Sequence, residues 1–248
     1  MNLRNSFPEK TPEELKLISK KYYRFLSDML LESLKMMNIS EQQIRRRFRI
    51  NNQEEVEQYL GAGQAVTAVT GHYGNWEWGS LILSAMVKYP ALITYKPLSN
   101  KEFECILNGM RGKFGAILVP MKGTLRKVIG MRGKSFLSVL VGDQTPSGEE
   151  VTYFTEFLNQ PTAVFLGIEK IAKISNGPVV FCHINRYKRG HYECNFTTLF
   201  KDPKETAEKE ITNAHTRFLE EIIRKKPELW LWSHKRWKHK PENFPEHS

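Results

Sequence analysis

The sequence predicts an α/β fold: a mostly parallel central sheet flanked by helices, with an N-terminal helical segment. Three observations carry this. Short β-prone apolar runs alternate with helical stretches from residue 65 to residue 199, the pattern of βα units around a parallel sheet. Ahead of them, residues 11–60 carry helical periodicity and helix-start signals. The chain has 248 residues, 40% hydrophobic and 11% aromatic, enough for one substantial core. The expected organisation is a helical segment, 1–60, packing on an α/β core, 61–248, in a single domain overall.

Thr11-Pro12-Glu13-Glu14 reads as a capping box, with Pro12 in the first turn and Glu14 reaching back to Thr11. Leu15, Ile18, Tyr22, Phe25, Met29 and Leu30 follow at helical spacing, so a long amphipathic helix runs to about Met37. A basic helix is expected over Glu41 to Phe48, and a short one from Asn52 to Leu60, stopped by Gly61. Strands are then expected at Ala65–Thr70, Ala91–Tyr95, Ala116–Pro120, Phe136–Gly142 and Pro178–Ile184. Helices between them cover Trp76–Val87, Asn100–Lys113, Thr124–Arg132 and Thr162–Ser175. Tyr192–Leu199 adds a last strand, a candidate antiparallel one. Asp202-Pro203-Lys204-Glu205 reads as a second capping box, opening a helix with Ala207, Ile211, Phe218 and Ile222 on one face and ending before Pro227. No repeat or low-complexity linker interrupts the series.

Lys and Arg number 37 against 27 Asp and Glu, a formal net charge of +10. Such a surface favours nucleic acid, anionic lipid or a phosphorylated substrate without choosing among them. Cys105, Cys182 and Cys194 have no zinc-knuckle or redox-pair spacing and read as reduced thiols. The first ten residues lack the apolar core of a signal peptide. No apolar run approaches the ~20 residues of a membrane helix, so membrane contact by this chain is expected to be peripheral.

The stretch TGHYGNWEWGS, residues 70–80, lies where a strand gives way to a helix. Gly71 and His72 leave the strand, Asn75 is a natural N-cap and Glu77 falls in the first helical turn. A helix start alone explains Asn, Glu and Gly there. A chemical reading uses the same geometry. A chain turning between His72 and Glu77 can bring the Glu77 carboxylate to the imidazole, which fixes its tautomer and leaves the other nitrogen to take a proton from a hydroxyl. Ligands of open α/β sheets bind beyond the carboxyl ends of strands. Other motifs fail. Gly133-Lys134-Ser135 is no P-loop, because Val128 stands where that motif needs Gly. No G-x-S-x-G or H-E-x-x-H occurs, and His72 with Glu77 gives too few ligands for zinc. No metal site and no cofactor are expected.

His, four residues, then an acidic residue is the signature of glycerolipid acyltransferases, and GHYGNWEWG resembles the lipid A biosynthesis acyltransferases more closely. VGDQTPSGE at 141–149, FLNQPTAVFLGIEKIAKISNGPVVFCHINR at 157–186 and PELWLWSHKRWK at 227–238 resemble later segments of that family. NLRNSFPEKTPEEL resembles its opening soluble segment, so the resemblance covers nearly the whole chain. Members usually carry a membrane-spanning helix ahead of that segment, and here the chain starts at it.

The resemblance implies transfer of a fatty acyl chain from an acyl carrier protein thioester to a hydroxyl of a lipid A precursor. His72 is then the general base and Glu77 orients it. Oxyanion or substrate donors are expected from the N–H groups near Gly74 and Asn75 and from Arg111. Asp143 and Gln144 line the same crevice, with Asp143 orienting Arg111 or binding substrate; a capping Asp at a strand end is its plain structural alternative. Expected partners are the carrier protein, the lipid A precursor and an anionic membrane surface at the cytoplasmic face of the bacterial inner membrane. Another acceptor, a glycerophospholipid or aminolipid, would use the same catalytic pair.

Trp230, Trp232 and Trp237 are interleaved with His234, Lys235, Arg236 and Lys238. Core packing is the favoured reading for Trp230 and Trp232, and Arg236 and Lys238 are the candidates for phosphate or membrane contact. Arg45, Arg46, Arg47 and Arg49 read as a solvated helix face, and Arg186, Lys188 and Arg189 as cations at a hairpin. Tyr22, Phe25, Met29 and Met36 read as ordinary core, with a wall of an acyl groove as the alternative. A nucleic-acid-binding module would explain the charge but not the His-Glu pair, and no ribonucleoprotein motif or zinc finger supports it.

Overall fold

A computed structural model describes residues 2–244. The N-terminal segment opens with a short helix, α1 (Asn2–Ser6), and the long α2 (Pro12–Lys35). The capping box forms: the Thr11 hydroxyl accepts from the Glu14 N–H, and the Glu14 carboxylate accepts from the Thr11 N–H at 2.8 Å. Tyr22, Phe25, Met29 and Met36 are buried in the common core, the ordinary packing role expected of them. Glu32 lies buried on the same stripe. Its carboxylate accepts from Asn75 Nδ2 at 2.8 Å and from the Tyr192 hydroxyl at 2.6 Å, and its carbonyl accepts from Trp78 Nε1 at 2.9 Å. One buried side chain thus ties α2 to the start of the helix that follows His72.

The basic helix, α3 (Glu41–Arg47), stops one residue short of expectation, because Phe48 turns extended and opens strand β1 (Phe48–Ile50). A strand of the main sheet therefore comes from within residues 1–60. After α4 (Glu54–Gly61) come β2 (Val66–Thr70), α5 (Trp76–Met86), β3 (Ala91–Tyr95), α6 (Lys101–Arg111), β4 (Ile117–Pro120), α7 (Thr124–Ile129) and β5 (Leu137–Val141). The chain continues through β6 (Phe154–Phe157), β7 (Gln160–Ala163), α8 (Gly167–Ser175), β8 (Val179–Lys188), β9 (His191–Phe200) and α9 (Glu210–Lys225).

Seven strands form one sheet in the order β1-β9-β8-β2-β5-β3-β4, and every pairing is parallel except β8–β9. The mostly parallel sheet and the antiparallel last strand are as expected. Every residue of β2 is buried, as a central strand covered on both faces requires.

Two expectations fail locally. The helix expected from Thr162 begins at Gly167, and Thr162 lies in a separate hairpin, β6–β7. Its turn residues, Leu158 and Asn159, both have positive φ, 52° and 59°, a geometry that Leu does not advertise. Asp202 makes no side-chain cap; Pro203–Glu205 is a single 3₁₀ turn, and α9 starts after the left-handed Lys209.

Strand register assigns the faces. Gly79 of α5 abuts Ile184 of β8, so α5 covers the face carrying Ile184, Cys182, Thr70, Val139 and Ile93. Ser175 of α8 meets Thr67, and Gly142 lies against Ile168 of α8 and His215 of α9. The opposite face therefore carries Thr67, Val69, Leu140 and Thr94.

Candidate active site

β2 and β5 are adjacent, parallel and in register, with Thr70 opposite Val141. One glycine beyond each strand stand His72 and Asp143, and the register that pairs the strands brings these two together. His72 Nδ1 lies 2.7 Å from Asp143 Oδ1, and the His72 main-chain N–H donates to Asp143 Oδ2 at 3.0 Å. Trp230 Nε1 donates to the same Oδ2 at 2.8 Å. The carboxylate thus receives three donors and holds the imidazole by both ring and backbone. Nε2 has no hydrogen-bond partner among the described residues, and the His72 side chain keeps 17% of its surface exposed.

Glu77 was expected to be the carboxylate on His72; that place belongs to Asp143. Glu77 instead grips Arg111 of α6 bidentately, Oε2 accepting from Nε at 2.8 Å and Oε1 from Nη2 at 2.5 Å. Asp143, conversely, does not orient Arg111. The two acids have exchanged the partners expected of them. The cause lies in α5: Glu77 sits in its first turn on the side facing α6, whereas Asp143 arrives along β5. Glu77 reaches the imidazole only as a nearby negative charge.

Burial pushes the His72 imidazole toward neutrality, but the Asp143 charge and hydrogen bond more than offset it. Glu77 adds to that pull and Arg111 opposes it, and the net direction is upward. Burial also pushes the Asp143 carboxyl up, and here the His72 charge with the His72 and Trp230 hydrogen bonds prevails, holding it well below the usual carboxylate range.

His72, Glu77, Arg111 and Gln144 line one cavity of about 530 Å³, within the range of small-ligand sites. Gly74 and Asn75 do not line it. The Gly74 N–H, expected as an oxyanion donor, is already spent on Leu229 O at 3.0 Å. The Asn75 side chain is fully buried, accepting from Trp78 N–H as the helix cap and donating to Glu32. Both residues shape the turn that presents His72.

The C-terminal segment closes the back of the site. Tyr73 bridges Trp230 in antiparallel fashion, and the Leu231 N–H donates to His72 O at 3.1 Å. Trp230 and Trp232 are buried, as expected for core residues. Arg236, a candidate for phosphate or membrane contact, is buried too, its Nη1 donating to Ala163 O at 2.7 Å. Burial pushes its guanidinium down to about 10, against the pull of Asp143. Lys238 is exposed. Arg186 and Arg189 both pair with Asp28 of α2, and Arg49 with Glu193. Cys182 and Cys194 are buried free thiols.

Sequence reasoning missed Trp230 as a donor to Asp143. The visible signal was a repeated strand-Gly-acid/base ending, VTGH at 69–72 and LVGD at 140–143. Among the described residues no group of three or more His, Cys, Asp and Glu is placed to hold a metal, and no helix is long and apolar enough to cross a membrane.

A histidine held by a buried carboxylate lines a largely apolar cavity together with an arginine, an arrangement that can support proton transfer on a substrate with an apolar body. The chain belongs to the bacterial lipid A biosynthesis acyltransferase family, whose model matches residues 1–239. It is an acyltransferase, of the kind that transfers groups other than aminoacyl groups. It is 20% identical over 242 residues to the lipid A biosynthesis palmitoleoyltransferase of Escherichia coli (strain K12), covering 97% of this chain and 78% of that protein. The lipid A biosynthesis acyltransferase of Shigella flexneri aligns with the same identity and coverage. That of Haemophilus influenzae (strain ATCC 51907 / DSM 11121 / KW20 / Rd) is 21% identical over 236 residues, covering 93% of this chain and 72% of that protein.

Proposed function

We propose that this chain moves a fatty acyl group from the thioester of an acyl carrier protein to a hydroxyl of a lipid A precursor, with His72 as general base. The reading is carried by the His72–Asp143 pair at the mouth of an apolar cavity. Asp143 accepts the Nδ1 proton, which leaves Nε2 to take the proton of the acceptor hydroxyl. The freed oxygen attacks the thioester carbonyl, and the C=O electrons move onto oxygen. Arg111, clamped by Glu77 through Nε and Nη2, faces that developing charge with its remaining N–H groups. Glu77 therefore positions Arg111 rather than His72. Collapse of the intermediate breaks the C–S bond, and the His72 imidazolium returns its proton to the leaving thiolate. The products are the acylated acceptor and the free carrier thiol.

Binding at the cytoplasmic face of the inner membrane fits the +10 charge, which attracts both an anionic surface and an acidic carrier. Of the two cations assigned to phosphate or membrane contact, Lys238 is the exposed one and remains available for phosphate.

The test is acyl transfer from labelled acyl carrier protein to a Kdo-bearing lipid A precursor in detergent. Wild type should transfer, and His72→Ala should lose at least ~100-fold in kcat. Arg111→Lys, which keeps the charge but loses the fork, should lose nearly as much as Arg111→Ala. Wild-type inactivity beside an active control enzyme would reject the acceptor, and glycerophospholipid and aminolipid acceptors would then be tried in the same assay. Full activity in His72→Ala would reject the base.

A further inference from the structure

The residues lining the active-site cavity do not lie on one face of the sheet. Gly79, Leu83, Ile93, Val139, Cys182 and Ile184 line it on the face covered by α5 and α6. Thr94, Thr124, Leu140, Phe165, Ile168 and Ile171 line it on the face covered by α7 and α8. The cavity therefore crosses the carboxyl edge of β5 and forks, with His72 near the junction. The α5 arm is the deeper. Trp76, Gly79, Ser80 and Leu83 lie along one stripe of the helix, and the helical rise carries the lining about 10 Å from Trp76 to Leu83. The α8 arm runs about one turn, from Ile168 to Ile171, roughly 5 Å.

Both arms are largely apolar, and the hydroxyls of Thr70, Ser80, Thr94 and Thr124 along them are already bonded. In the α5 arm Thr70 donates to Cys182 O at 3.0 Å, and Ser80 to Glu77 O at 2.7 Å. In the other arm the Thr94 and Thr124 hydroxyls lie 3.2 Å apart. A polar ligand would find none of these four hydroxyls free and would forfeit its own hydration. Of the charged lining residues, Lys96, Lys122 and Glu150 are exposed, and Glu77 and Arg111 are half-buried and paired with each other.

We infer that the forked cavity holds two alkyl chains at once, the donor's acyl chain in the α5 arm and an alkyl chain of the acceptor in the α8 arm. This rests on the acyl-transfer reading above. A thioester carbonyl directed at Arg111 lies over the α5 arm, because Arg111 and Leu107 of α6 border that side. Its chain enters there, and the α8 arm is left to the second substrate. The floor of the α5 arm, Leu83 with Ile93 and Val139, then sets donor length, while Ile171 bounds the acceptor.

Two filling variants separate the arms: Ile93→Phe for the α5 arm and Ile171→Phe for the α8 arm, each checked for an unchanged thermal midpoint. In transfer assays with a series of acyl carrier protein donors, Ile93→Phe should shift the preferred donor to shorter chains. It should cut kcat/KM for the longest by at least ~10-fold, the order expected for excluding a methylene, and leave the acceptor KM alone. Ile171→Phe should raise the acceptor KM by a similar factor with the donor profile unchanged. A binding readout does not depend on turnover: a fatty acid with a terminal diazirine is photolysed on wild-type protein and the labelled peptides are mapped. Labels should appear in both 80–93 and 165–171, and Ile93→Phe should abolish only the first set. Labelling confined to one segment, or both variants altering the same kinetic profile, would overturn the two-arm assignment. Labelling of both segments without transfer to any acceptor would leave the arms standing and reject the reaction instead.

Discussion

Asp143 acts on His72 in two ways that can be measured apart. It fixes Nδ1 as the protonated nitrogen, and it raises the imidazole against the downward push of burial. The wild-type kcat/KM should therefore rise with pH through an apparent pKa above the ~6.5 of an ordinary histidine, since only the neutral ring accepts a proton. Asp143→Asn removes the charge while keeping the shape. Burial then dominates, so the acid limb should move to lower pH. The maximal rate should fall on the order of 10³–10⁴-fold, because an amide no longer selects the productive tautomer. Paired pH–rate profiles check this; an acid limb that stays in place in Asp143→Asn would mean that Asp143 does not tune His72. Glu77→Gln is the contrast. Its carboxylate bonds Arg111 and touches His72 only through space, so the variant should lose rate with a much smaller movement of the limb.

At the scale of elements, the site depends on one turn between β2 and α5. Gly74 has φ +65°, and a Cβ there would run into the Ile184 carbonyl and side chain of β8. Gly74→Ala should cost about 2 kcal/mol or more from the left-handed backbone and the clash together. It should also cost activity, since the displaced turn carries His72. Gly109 in α6 has open space around its Cβ position, and Gly109→Ala should stabilise the protein by up to ~1 kcal/mol. Thermal melts of the two variants test both signs. The same turn shows how far the sequence reaches. Strand, Gly-His exit, Asn cap and acidic first turn were all legible at 66–77, because each depends on neighbours in the chain. The His72–Asp143 contact was not, because it depends on β5 inserting beside β2 in the sheet, and sequence spacing carries no strand order. The β6–β7 hairpin stayed hidden for another reason: its turn uses Leu158 in a left-handed conformation that a leucine does not announce. Arg236 looked like a surface cation because its burial is created by β7 and the Thr145 loop folding over it.

Across the whole molecule, the histidines set opposing slopes of stability against pH. His215 of α9 is fully buried against Gly142, and its Nε2 has no partner. Burial pushes its imidazole down to about 4. Between that value and the ~6.5 of the unfolded chain, the unfolded state binds a proton that the folded state refuses, so stability falls as pH falls. His183 and His234 are pushed in the same direction by burial. His72, pushed up, does the reverse: its stabilisation is complete below the unfolded value and is lost as pH rises through the folded one. Stability should therefore crest near neutrality and fall on the acid side before the carboxylates titrate. The His215 share, from the two values above, is about 2 kcal/mol between pH 7 and pH 5. His215→Phe keeps a flat ring in the same pocket and removes the titration. Urea unfolding at pH 7 and pH 5 should show the wild type losing about 2 kcal/mol more than the variant. An equal loss in both would assign the acid sensitivity to the other buried histidines.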